Sequence, residues 1–185
     1  MASTTATSMS EVIVHRVRTK YRWPPLQLNF WLFIMLVGSC TILGINSYFL
    51  TVQNQLRVGI PWYFSYWIAS STLAIIFIIA MLYLISQRQL LPGIVIMGSF
   101  ILFVLWMVGL IVISIQLWGP NGVNGNCNIY VNGRSFTGPN VNTLAYLQQK
   151  SICQSWQAQW AFELVGCVFL LWMMIMAYQV YQDDR

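Results

Sequence analysis

Four long apolar runs occupy most of this 185-residue chain and decide what it can fold into. A bilayer-crossing helix needs about 20 apolar residues, each adding about 1.5 Å across a hydrocarbon core of roughly 30 Å. The runs cover about 28–50, 62–85, 93–117 and 160–181, each long enough to span with some tilt. Proline stands before or in the first turn of three of them, in Trp23-Pro24-Pro25, at Pro61 and at Pro92. A missing N–H is harmless there, so the prolines mark helix entries. The expected fold class is an all-α membrane protein, a four-helix transmembrane bundle with one long connection, 118–159, between the third and fourth helices.

Composition agrees. Hydrophobic residues make up 58% of the chain and charged residues 7%, against about 25% charged in soluble domains. So few charges cannot cover a surface in water. Aromatics reach 15%, with nine Trp, a type that favours bilayer interfaces. Trp62, Tyr63, Trp67, Trp118, Trp156 and Trp160 crowd one expected boundary; Trp23, Tyr83, Tyr178 and Tyr181 lie near the other. Trp106 and Trp172 are deeper and read as packing or lipid-facing bulk.

The net charge of +5 is concentrated in an N-terminal tail, 1–27, where Arg16, Arg18, Lys20 and Arg22 lie beside His15. Their position directly before the first run assigns them to topology and to anionic lipid headgroups, not to nucleic acid. With the N-terminus in the cytosol, Arg16, Arg18, Lys20, Arg22, Arg88 and Arg185 fall inside, and Arg57, Arg134 and Lys150 outside. Four spans return the C-terminus, 182–185, to the cytosol. No signal peptide is evident, so the first helix is expected to be an uncleaved anchor. Ala2 excludes N-myristoylation, and the C-terminus is not a prenylation box.

The long connection, on the outer side, reads as ordered. Asn132-Gly133, between Asn128-Ile129-Tyr130-Val131 and Arg134-Ser135-Phe136, predicts a hairpin, since a type I′ turn needs two residues at positive φ. Asn142 or Thr143 can cap a short helix through Gln149. Cys127 and Cys153 bracket both elements. An oxidising compartment favours a disulfide between them, closing a loop of about 26 residues and contributing roughly 3 kcal/mol. A metal or redox pair is the competing reading, but the single His lies on the other side and leaves zinc without ligands. Cys40 and Cys167 read as small hydrophobes within helices. Cys40/Gly44 and Ser70/Ala74 have small-xxx-small spacing, and Gly98 and Gly109 notch the third run; such positions let helices approach closely in lipid.

Glu163 is the one acidic residue inside a run, about one turn into the fourth, with Gln159 on the same face. It is either a proton or cation ligand or a structural residue that finds a capping or hydroxyl partner or carries a proton. Asn29 and Asn46 are the other polar candidates, both near helix ends. Four acidic residues in all, and neither a metal constellation nor a phosphate-cradling loop, offer little for catalysis. No enzyme, cofactor or metal is expected.

Four helices, cytosolic termini, a short first outer loop and a cysteine-bearing second one resemble MARVEL-domain proteins, especially the small fungal type. The nearest local match is Ile152-Cys153-Gln154-Ser155-Trp156, followed by Ala161-Phe162-Glu163 and a Trp-rich fourth helix. Tetraspanins, claudins and connexins fit less well, because their cysteine signatures lie in other positions. The resemblance implies a non-enzymatic, multi-pass plasma-membrane protein. Such a protein organises membrane domains or serves as an accessory subunit, binding lipids and a larger membrane protein or copies of itself. A small channel or proton-coupled transporter using Glu163 is the alternative.

Overall fold

The computed structural model describes residue 23 and residues 25–57, 59–87, 91–120, 122–132 and 141–183, without the side chains of 130 and 132. The basic tail with Arg16, Arg18, Lys20 and Arg22 lies outside the described residues, as do Arg88, Arg134 and Arg185. Among the described residues the fold is all helical: α1 Pro25–Gln55, α2 Trp62–Ser86, α3 Pro92–Trp118, α4 Val123–Cys127, a single π turn Asn128–Asn132, and α5 Val141–Asp183. α1, α2, α3 and α5 are each long and apolar enough to cross a membrane.

Proline punctuation sets the helix starts. α1 begins at Pro25, α2 follows an extended Pro61 with ψ 142°, and α3 has Pro92 in its first turn. α3 stops where Gly119, extended at ψ 174°, precedes Pro120; the residue before a proline is steered away from helix. α1 ends at Gln55, and two residues on Arg57 takes a left-handed φ of 53°.

The four long helices run antiparallel in sequence and pack in a ring, α1 on α2, α2 on α3, α3 on α5 and α5 on α1. Each buries one face at three-to-four-residue spacing. On α3 that face is Val95, Ser99, Leu102, Trp106, Gly109, Ile113 and Leu117. The opposite faces are equally apolar, with Phe33, Ile79, Met97 and Ile115 all exposed. Lipid is the solvent that suits such a surface. Burial of apolar area gives little drive in lipid, so small residues and polar bonds hold the helices. The bundle has both. Gly98 abuts the Phe77 ring and Gly166 abuts the Trp106 ring. Trp31 Nε1 donates to Phe169 O at 2.7 Å, Tyr66 OH to Leu105 O at 2.7 Å, and Trp160 Nε1 to Ser114 Oγ at 3.1 Å. Ser70 and Ala74 are buried as their spacing implied. Cys40 and Gly44 are not a pairing notch: both face outward, and Gly44 has nothing within 4 Å of an added Cβ.

Two expectations for the long connection are corrected. Asn128–Asn132 is a π turn continuing α4, so the first arm of the expected hairpin is helical, not a strand. Gly133 and the second arm lie outside the described residues. The short capped helix is not separate: α5 starts at Val141 and runs 43 residues, without a break, through the fourth span. At about 1.5 Å per residue it is roughly 64 Å long, so its first part rises past the ends of α2 and α3.

Candidate functional site: a buried polar layer beneath an aromatic cap

Three rings from three helices meet where α5 enters the bundle. Phe49 of α1 stacks on Trp156 of α5 at 5.8 Å, Phe64 of α2 lies 5.8 Å from Phe49, and Phe64 and Trp156 are 6.1 Å apart. Tyr63 and Trp67 close the group against Trp156. Trp67 and Trp156, expected in the interfacial belt, pack into the core at 0% and 8% exposure. Trp62 and Trp118 remain exposed. Of the two deeper tryptophans, Trp106 is core and Trp172 is exposed on the lipid-facing side.

One helical turn below each ring of the triad stands a polar group: Asn46 on α1, the Trp67 indole on α2 and Gln159 on α5. Glu163 follows one turn below Gln159. All four residues are at or below 1% exposure. Asn46 Nδ2 donates to Ile42 O at 2.8 Å within its own helix. Asn46 Oδ1, Trp67 Nε1, both amide atoms of Gln159 and Glu163 Oε2 have no hydrogen-bond partner among the described residues. Glu163 and Trp67 meet beside Gly109 of α3. A Cβ added there would stand 3.1 and 3.2 Å from the two Glu163 carboxyl oxygens and 3.2 Å from Trp67 Nε1. Glycine is needed at this point because a side chain would occupy the space the polar groups share.

Glu163 and Gln159 are thus brought together, as their spacing implied, and both point into the bundle. The hydroxyl or capping partner expected for the acid is not found at Oε2. Trp67 is the member sequence reading missed, and Asn46 was held only as a polar candidate near a helix end. Trp67 read as an interfacial ring and Asn46 as a helix-end residue, and only the tertiary register puts them level with Gln159. No lysine, arginine or histidine lies within the described parts of the spans, and no group of three or more metal-ligating side chains occurs among the described residues.

No family model, curated protein or solved structure matches the chain.

A second feature sits beyond the aromatic cap. Cys127 of α4 and Cys153 of α5 lie at disulfide distance, their Cα atoms 6.0 Å apart, well inside the bridging range. The π turn packs with them through Val131, which is 5% exposed. Farther along α5, Val141, Leu144 and Leu147 are 83%, 69% and 54% exposed. They recur at three-residue spacing, so they share one side of the helix. Polar residues flank them, with Asn142 and Thr143 between and Gln148, Gln149, Lys150 and Ser151 following. Cys40 is exposed on the lipid-facing side of α1 and Cys167 is buried.

Proposed function

We propose that the protein is a non-enzymatic accessory or organising component of a membrane, acting by contact with a larger membrane protein or with copies of itself. The observation that carries this reading is the raised N-terminal part of α5, stiffened by its continuity with a spanning helix and bearing the exposed stripe Val141, Leu144 and Leu147. Apolar side chains flanked by polar residues on a rigid helix are what a docking partner covers. In the orientation favoured by the Lys/Arg distribution, this helix stands on the outer face. A Cys127–Cys153 disulfide formed in that oxidising compartment closes the connection and holds α4 against the helix. The resemblance of 152–156 and 161–163 to MARVEL-domain proteins, whose members act in membrane apposition and lateral organisation, points the same way. In this reading the basic tail, with Arg16, Arg18, Lys20 and Arg22, adds contact with anionic headgroups.

The channel or transporter alternative rests on Glu163 and Gln159. It is the weaker reading, because the polar layer is capped by the ring triad and has the Trp106 indole packed beside Gly166 one turn below Glu163. Flux in liposomes that disappears in Glu163→Gln would restore it.

Extraction in mild detergent followed by size-exclusion chromatography tests the accessory reading. The wild-type protein is expected to elute in a complex. A variant with Val141, Leu144 and Leu147 all replaced by Asn is expected to elute as a folded free monomer. A monodisperse wild-type monomer with neither protein nor lipid attached overturns the proposal.

A further inference from the structure

The buried layer holds more polar valence than the protein satisfies. Leaving a buried donor or acceptor without a partner costs about 1–3 kcal/mol each, and five such atoms share one layer. Their chemistry narrows what can satisfy them. Trp67 Nε1 and Gln159 Nε2 donate only; Asn46 Oδ1, Gln159 Oε1 and Glu163 Oε2 present oxygen lone pairs. A bare cation would answer the oxygens and be repelled by the indole N–H. An anion would answer the donors and be repelled by the carboxyl. Water both donates and accepts, and buried water characteristically bridges groups of this kind, at about three hydrogen bonds each.

We infer that the layer formed by Asn46, Trp67, Gln159 and Glu163 against the Gly109 notch is an internal water site, in which bound water joins α1, α2 and α5 across the bundle. The ring triad Phe49, Phe64 and Trp156 separates this water from the bundle end one turn above. Below, the Trp106 ring packs against Gly166. The missing side chain at Gly109 lets the Glu163 carboxyl and the Trp67 indole both reach this level of the bundle. The site supplies what helix association in lipid lacks, a hydrogen-bonded link shared by several helices, and it does so independently of any partner at the raised end of α5.

Radiolytic hydroxyl labelling of the full chain in nanodiscs, read by mass spectrometry, tests it, because radicals formed from bound water mark the side chains beside it. Trp31 is the internal control: it is as buried as Trp67, but its N–H is bonded to Phe169 O. Trp67 is expected to be labelled several-fold faster than Trp31, and that excess is expected to vanish in Glu163→Leu and in Gln159→Leu. Equal labelling of Trp67 and Trp31 in the wild type overturns the inference and needs no variant to fold. An excess that survives in both folded leucine variants also overturns it, since the labelling would then come from solvent reaching past the cap. A thermal midpoint that rises in sodium chloride over choline chloride, and loses that rise in Glu163→Leu, would replace water by a cation.

Discussion

Gly166 and Gly44 are both glycines in apolar spans, yet they stand in opposite circumstances. A Cβ at Gly166 runs into the Trp106 ring, which is itself 1% exposed. Gly44 meets nothing. Gly166→Ala is therefore expected to lower stability by about 1–3 kcal/mol, the usual cost of overpacking a closed site, while Gly44→Ala leaves it unchanged or slightly raised. Thermal unfolding of the two variants in one detergent checks this; equal midpoints would mean that Trp106 is free to move. Hydropathy treats both positions alike, so the sequence could not separate them. The same holds for Trp67. Its type suits an interface, and only its pairing with Trp156, at 6.0 Å, draws it into the core. Glu163 and Gln159 were legible because a polar residue in an apolar run is conspicuous on its own. Their companions were not, because an asparagine near a helix end and a tryptophan near a boundary are where such residues ordinarily sit.

At the scale of elements, the spans were legible and the connection was not. The first three spans are bounded by proline, by Gly119-Pro120 or by a turn, so run length and punctuation agree there. Through 141–159 the sequence carries neither glycine nor proline, and nothing there stops a helix once Asn142 and Thr143 have let it start. A boundary at Gln149 would have needed a signal that the chain does not contain. Polar composition is what disguised this stretch as loop, since hydropathy distinguishes lipid from water and not helix from coil. The Asn132-Gly133 signal failed for another reason. Local hairpin preference is overridden here: Asn128–Asn132 continues the helical path of α4, with Val131 buried and Cys127 close to Cys153. α4 itself, Val-Asn-Gly-Asn-Cys, has poor helix propensity. A disulfide between Cys127 and Cys153, separated by 26 residues, would contribute about 3 kcal/mol to holding it. Cys153→Ser is accordingly expected to speed amide exchange sharply over 123–132 while 156–183 keeps its protection. Hydrogen-exchange mass spectrometry reads this directly. Unchanged exchange over 123–132 would mean that packing alone holds α4.

For the whole molecule, the two ends of the bundle differ in kind. One end carries the aromatic cap, the cysteine pair and the raised helix; at the other, α1 and α3 start and α2 and α5 finish. Cysteines survive as a disulfide only on the oxidising side of a membrane, and clustered Lys/Arg directly before a first span remain on the cytosolic side. The two rules rest on different residues, Cys127 and Cys153 in one case and Arg16, Arg18, Lys20 and Arg22 in the other, yet they give the same orientation. Single cysteines introduced at Lys150 and Gln182, both exposed, in a background with Cys40 changed to Ser, check it with a membrane-impermeant maleimide. Lys150→Cys is expected to label in intact cells, and Gln182→Cys only after permeabilisation. The reverse pattern would put the cysteine pair in a reducing compartment and remove the disulfide. It would also turn the stripe of Val141, Leu144 and Leu147 toward cytosolic partners. The internal water site would keep its place, because its residues are held by helix packing and not by the direction in which the bundle was inserted.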